Sequence, residues 1–291
     1  MLQKHWSRKL LMMALALVML VGAAIPAGAS TDDTAEADWK DNVLIEHPLD
    51  LMTNKKETIA TVTFLDTLEN APKWPWHLGS IGNRDGVQGW IEWKDGQGHA
   101  YIAAEGGING KNACVELFKE CAGLKEVCFN GAFHTEEAES MVEMFYKCYA
   151  LEKVDLQNLN TSNVKSMYQM FRDCASLKTL DLSKMDTSKV ETMYCMFSTC
   201  KKLEELDLSS FNTENVTNMG YMFSACTELK HVNVSSFDTS KVFYMEGMFR
   251  WCNELEEYDF SNWDVSNVTH CNGFLNAGMT INGQKWENFF K

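Results

Sequence analysis

The sequence predicts an α/β solenoid, a stack of coils that each hold a strand, a turn and a short helix, behind a small β-rich N-terminal cap. Three observations predict it. The dipeptide Met-Phe returns at Met144, Met170, Met196, Met222 and Met248, and a cysteine four residues past each Met returns at Cys148, Cys174, Cys200, Cys226 and Cys252, both series stepping by 26. A fixed period of roughly 20 to 50 residues is the signature of stacked repeats. Within one repeat the apolar period changes, from steps of three and four at Val164, Met167, Met170, Phe171 and Cys174 to alternation at Leu180 and Leu182 around Asp181, which predicts a helical face followed by a strand. Ser188 and Glu191 stand where a capping box would open the next helix. One coil of this length cannot bury enough apolar surface to offset the entropy of ordering it, so stacking is obligatory.

Taken in order, Lys4, Arg8 and Lys9 precede an apolar run from Leu10 to Ile25, and Ala27-Gly28-Ala29 supplies a small-x-small cleavage site. Residues 1–29 therefore read as a secretory signal peptide, with an uncleaved anchor as the rival. Residues 30–56 are acidic and lack an apolar period, which predicts a flexible lead-in. Residues 57–112 form the β-rich cap: Ile59 to Phe64 is a β-branched run, and Val87 to Trp93 and His99 to Ala103 are two strands joined across Lys94-Asp95-Gly96-Gln97-Gly98. The repeats occupy 113–274, the first displaced by one extra residue near Gly131. Trp286, Phe289 and Phe290 close the stack as a C-terminal cap, 275–291.

Of the 26 Lys and Arg, three leave with the leader, so 23 face 40 Asp and Glu, a balance of −17. Such a chain repels phosphate backbones and anionic lipid surfaces, so nucleic acid is not expected as a partner; no membrane span is expected after signal cleavage, because the C-terminus shows no hydrophobic tail. Ten cysteines in an exported chain suggest bridges. Six of them, Cys121 and the five of the repeat series, share one slot and read instead as buried thiols. Helices packed at about 8–10 Å would hold them beyond the roughly 7 Å reach of a disulfide. The sequence contains no Cys-x-x-Cys pair, no His-Glu-x-x-His and no Gly-x-Ser-x-Gly, so no metal, cofactor or catalytic residue is expected. Trp74, Trp76, Trp90 and Trp93 cluster in the cap; exposed indoles there could stack on sugar rings, and packing within the cap is the plainer reading.

The candidate binding face is a pair of columns. If Leu180 and Leu182 point inward, their neighbours point outward and align from coil to coil. One column reads Lys153, Thr179, Glu205, His231, Glu257, and the other Asp155, Asp181, Asp207, Asn233, Asp259. Stacked carboxylates repel unless each is hydrogen-bonded within its own turn or neutralised by a ligand.

The unit Met-x-x-Met-Phe-x-x-Cys-x-x-Leu-x-x-Leu-Asp-Leu-Ser-x-Phe, read from Met193 onward, resembles the BspA-like leucine-rich-repeat surface proteins of bacteria, and the likeness covers Cys114 to Lys291. The segment Val62 to Pro72 is similar to the stretch that precedes such repeats. Cys128 departs from the pattern, standing where later coils have Asp155 and Asp181. The resemblance implies a leucine-rich-repeat-like solenoid that is secreted or cell-surface associated and mediates adhesion or protein–protein interaction, with an extracellular protein or host matrix ligand and no enzymatic activity. The alternative is a carbohydrate-binding module or glycan-active protein using the Trp-containing N-terminal block.

Overall fold

The structure, a computed structural model, describes residues 40, 42–44, 48–53, 55–73, 75–77, 86–111, 113–256, 258–276, 280–281 and 284–290. All of them lie in one compact unit, Ala37–Lys291. The expected signal peptide, 1–29, lies outside the described residues. Among the described residues no helix is long and apolar enough to cross a membrane.

The β-branched run forms Ile59–Leu65 (β1), which buries Val62 and Phe64 and leaves Thr61 and Thr63 half-buried on the other face. Trp76–His77 (β2), Gln88–Lys94 (β3) and Gln97–Ala103 (β4) follow. The β3–β4 hairpin turns on two residues, Asp95 and Gly96, both at positive φ (51° and 76°). That is the mirror-image turn whose twist suits a tight hairpin. Ile108–Asn109 (β5) pairs in parallel with Phe133–His134 (β7). Glu126–Cys128 (β6) belongs to the first coil and Lys153–Asp155 (β8) to the second. The order β2-β3-β4-β1-β6-β8 makes one six-stranded sheet, so the cap covers the first coil by pairing β1 directly onto β6. Further along, Glu205–Asp207 (β9) pairs in parallel with His231–Asn233 (β10), and Thr280–Ile281 (β11) forms a hairpin with Gln284–Lys285 (β12).

Part of the segment expected to be a flexible lead-in is packed. Leu44 and Leu49 are buried, the latter in a short helix, Pro48–Met52 (α1). The Asn42 side-chain amide donates to the carbonyls of Glu105 (2.8 Å) and Gly107 (2.9 Å), and the Leu44 N–H donates to Asn109. Two isolated leucines and one anchoring amide carry no periodicity, which is why the sequence pattern missed them.

The larger correction concerns the repeats. Among the described residues the helices are α1 and two 3-10 turns, Lys56–Thr58 and Trp286–Asn288, and none lies in a coil. The α/β solenoid of strand-turn-short-helix coils is therefore overturned. The stretch read as a helix is a ribbon of consecutive turns. Cys195 and Thr199 take φ of 54° and 64°, as do their equivalents Gln169 with Asp173 and Tyr221 with Ala225 at similar values. A left-handed residue every fourth position breaks an α-helix. Alternate N–H groups bond locally, Met196 to Met193, Ser198 to Cys195 and Cys200 to Phe197, while those between them reach the next coil, Met193 to Asn218, Cys195 to Gly220, Phe197 to Met222 and Thr199 to Ser224. Met193, Met196, Phe197 and Cys200 all face the core in such a ribbon. The spacing of three and four that marks a helix is thus met by another backbone.

Ring spacing shows the physical reason. Phe145, Phe171, Phe197, Phe223 and Phe249 form one stack with centroids 5.1, 5.9, 5.7 and 5.0 Å apart. Neighbouring helices would stand about 8–10 Å apart, whereas neighbouring strands stand about 4.8 Å apart. The turn ribbon lets both sides of the coil advance by the strand step. Helices would also keep their N–H groups to themselves, and the ribbon spends half of them between coils.

Two side-chain ladders reinforce the stack. The buried hydroxyls of Thr135, Thr161, Thr187, Thr213 and Thr239 each donate to a carbonyl of the next coil at 2.8–2.9 Å. They serve as rungs between coils. The thiols of Cys148, Cys174, Cys200, Cys226 and Cys252 each donate to the carbonyl of a Phe one coil earlier, at 3.0–3.2 Å. All ten cysteines are free. Helix spacing does not keep the thiols apart, because coils spaced at the strand step bring the Cα atoms within disulfide range. Burial and the bond to a carbonyl account for a neutral thiol: burial pushes Cys114, Cys121 and Cys252 up to about 12.

Candidate functional site

The outward column residues are where alternation placed them. Around buried Val154, Lys153 and Asp155 are exposed; around buried Leu206, so are Glu205 and Asp207; around Val232, Asn233 is exposed and His231 half-buried. In register, Glu205 stands beside His231 and Asp207 beside Asn233. Thr179 and Asp181 are exposed and flank half-buried Leu180 in a coil that forms no strand there. A shallow cavity of about 560 Å³ is lined by Thr179, Asp181, Glu205, Asp207, His231 and Asn233. Six of the ten expected residues therefore share one depression. Asp259 and His231 line an adjoining depression of about 630 Å³. Glu257 lies outside the described residues. Lys153 and Asp155 line neither depression.

Each carboxylate of the second column has a local partner. Asp155, Asp181, Asp207, Asn233 and Asp259 each accept the N–H of the residue two positions ahead, Gln157, Ser183, Ser209, Ser235 and Ser261, at 2.9–3.2 Å. This is the Asx turn, in which a short side chain stands in for a backbone carbonyl. The backbone N–H groups of Ser183 and Ser209 hold Asp181 and Asp207 below the usual carboxylate range, and the Ser261 hydroxyl and N–H do the same for Asp259. One oxygen of each carboxylate is thereby committed to folding. In the first column, Lys153 forms an exposed ion pair with its strand neighbour Glu126 at 2.7 Å. Thr179, Glu205 and His231 remain as the outward groups of the central coils with no such turn to build.

Strand register extends this face beyond the repeats. Lys153 stands beside Glu126, Glu126 beside Thr61, Thr61 beside His99 and His99 beside Glu92. Asp155 stands likewise beside Cys128, then Thr63, Tyr101 and Trp90. Thr61 Oγ1 and His99 Nδ1 are 2.9 Å apart, and Trp90 stacks on Tyr101 with centroids 5.2 Å apart. Periodicity could not reveal this continuation, because β1, β3 and β4 are not repeats and join the columns only by pairing. The cap tryptophans divide: Trp90 is buried, Trp76 and Trp93 are exposed, and Trp74 lies outside the described residues. Tyr258, which no column included, also lines the second depression and donates its hydroxyl to the Thr280 carbonyl.

Burial accounts for the raised thiols and turn hydrogen bonds for the lowered Asp carboxylates, while Glu120, Glu126 and Glu139 are lowered by their ion pairs with Lys147, Lys153 and Lys165. Among the described residues no group of three or more His, Cys, Asp or Glu could hold a metal ion.

The family described as "Mycoplasma protein of unknown function, DUF285" matches the chain over residues 112–231 and 202–288, more than half of its 291 residues. The chain belongs to this family. The DUF285 matches begin at the first coil and run to the C-terminal cap, so they cover the repeats and leave out the N-terminal block. No curated protein and no solved structure matches the chain.

Proposed function

We propose that this DUF285 protein is a secreted or cell-surface adhesion protein of the BspA-like kind, non-enzymatic, whose outward sheet face binds an extracellular protein. The observation that carries the reading is the central depression. Thr179, Glu205 and His231 stand together there, from three successive coils, and none of the three builds the turn that commits the neighbouring carboxylates. A protein ligand lying across stacked coils would touch several such residues, each contributing modestly, with binding concentrated in a few. A shallow, open depression suits a protein surface better than a small molecule, which favours enclosed pockets. The acidic balance supports a partner that is not a polyanion.

The test is binding of the purified chain to immobilised matrix proteins by surface plasmon resonance. The triple variant Thr179→Ala, Glu205→Ala, His231→Ala should stay folded, since surface substitutions usually change stability by less than about 0.5 kcal/mol each, and should weaken binding at least tenfold. Undiminished binding by a folded triple variant would remove the face from the mechanism. Exposed Trp76 and Trp93 keep a glycan-binding N-terminal block as the second reading. That reading gains if Trp76→Ala and Trp93→Ala abolish binding to glycans.

A further inference from the structure

The sixth coil departs from the earlier ones at its most demanding position. The second left-handed residue of the turn ribbon is Glu120, Lys147, Asp173, Thr199 and Ala225 in successive coils, and then Trp251, at φ 64°. A bulky side chain is rare in that region of backbone space. Trp251 is also 52 % exposed. Folding gains little from it, as no earlier coil needs an aromatic ring there.

Around Trp251 the structure builds a cavity of about 430 Å³, between the sixth coil, the segment Asn272 to Asn276 and the 3-10 turn Trp286–Asn288. Glu246, Arg250, Asn276, Trp286 and Glu287 line it with Trp251. The Arg250 guanidinium lies 4.2 Å from the Trp251 ring centroid, which fixes the indole as a platform. Asn276 is held from two sides: its side-chain oxygen accepts the Trp251 backbone N–H at 2.6 Å, and its amide donates to the Asn253 side-chain oxygen at 3.2 Å. The Trp286 ring is 9 % exposed, and its indole N–H is buried without an acceptor among the described residues. A buried donor left unpaired is costly.

We propose that this cavity is a binding subsite for a neutral pyranose sugar. The apolar C–H face of the ring would lie on the exposed indole of Trp251, and its hydroxyls would donate to Glu246 and Glu287. The volume is at the small end of the range for ligand sites, on the order of 300–1,000 Å³, and fits one or two sugar rings. Charge selects the class. Two carboxylates against one guanidinium disfavour an acidic sugar, and the guanidinium seated on Trp251 disfavours a cation on that ring. The site is distinct from both the sheet face and the cap tryptophans.

The experiment titrates the purified chain with neutral methyl pyranosides and their short oligomers, by calorimetry and tryptophan fluorescence. At least one neutral sugar should bind, and the corresponding uronic acid should bind more weakly. Trp251→Ala should weaken binding at least tenfold with an unchanged thermal midpoint. The sheet-face triple variant should bind sugar normally, which separates this subsite from the protein-binding reading. No neutral sugar bound at millimolar concentration, stronger binding of the uronic acid, or binding that survives Trp251→Ala would each overturn the proposal. Loss in Trp93→Ala with retention in Trp251→Ala would move sugar binding to the N-terminal block and equally overturn it.

Discussion

Phe197→Ala tests the stacked-coil architecture most directly. Phe197 is fully buried, and its ring lies between Phe171 at 5.9 Å and Phe223 at 5.7 Å, nearly parallel to both. Truncating a buried Phe costs about 3–5 kcal/mol, and two lost ring contacts, each worth roughly 0.5–1.5 kcal/mol beyond area burial, place this variant in the upper half of that range. The damage should spread along the stack. The Phe171 amide donates to Met196 and the Phe197 amide to Met222, so a cavity at position 197 loosens rungs on both sides. Chemical denaturation gives the total, and amide hydrogen exchange gives the distribution. Amides of Phe171, Asp173, Phe197 and Thr199 should lose protection together, ahead of those near β1. A cost below about 1 kcal/mol, outside the range for buried aromatics, or lost protection confined to Phe197 and Thr199, would refute the nearest-neighbour picture.

Two further perturbations probe the ladders and the turns. Native protein at pH 8.5 should resist alkylation at the in-register cysteines, since burial pushes Cys121 and Cys252 up to about 12, and denatured, unreduced protein should take up label at all of them; fewer labelled sites in mass spectrometry would reveal bridges and contradict the thiol ladder. Asp181, Asp207 and Asp259 have depressed folded-state values, so the stability they contribute is present above the usual carboxylate range and is lost as pH falls through the folded values. The variant with all three changed to Asn should therefore lose part of the wild type's destabilisation below about pH 4. Asn233 already shows that Asn builds the same turn, accepting the Ser235 N–H at 3.2 Å. Thermal midpoints with the same pH dependence in both proteins would rule out this account of the Asp column.

The repeat, its 26-residue step, the inward residues and the outward columns were all legible in the sequence, because each depends only on which side chains recur at which slots. Met196, Phe197, Cys200 and Leu206 are buried as the pattern requires, and Glu205 and Asp207 are exposed. What recurrence could not convey was the backbone that carries the slots. Steps of three and four are satisfied by an α-helix and equally by turns with a left-handed residue at every fourth position, and nothing in Met193 to Cys200 separates the two. Pairing between coils decided it. The turn ribbon places Met193, Cys195, Phe197 and Thr199 so that their N–H groups meet the next coil, a gain that exists only when that coil is already alongside. The same holds for the reach of the candidate face into the cap and for the cavity at Trp251. Thr61 meets Glu126 through parallel pairing, and Trp251 meets Trp286 around one cavity, across separations that no local period spans. Local chemistry thus determined the repeat, and contacts between distant segments determined its backbone and its sites.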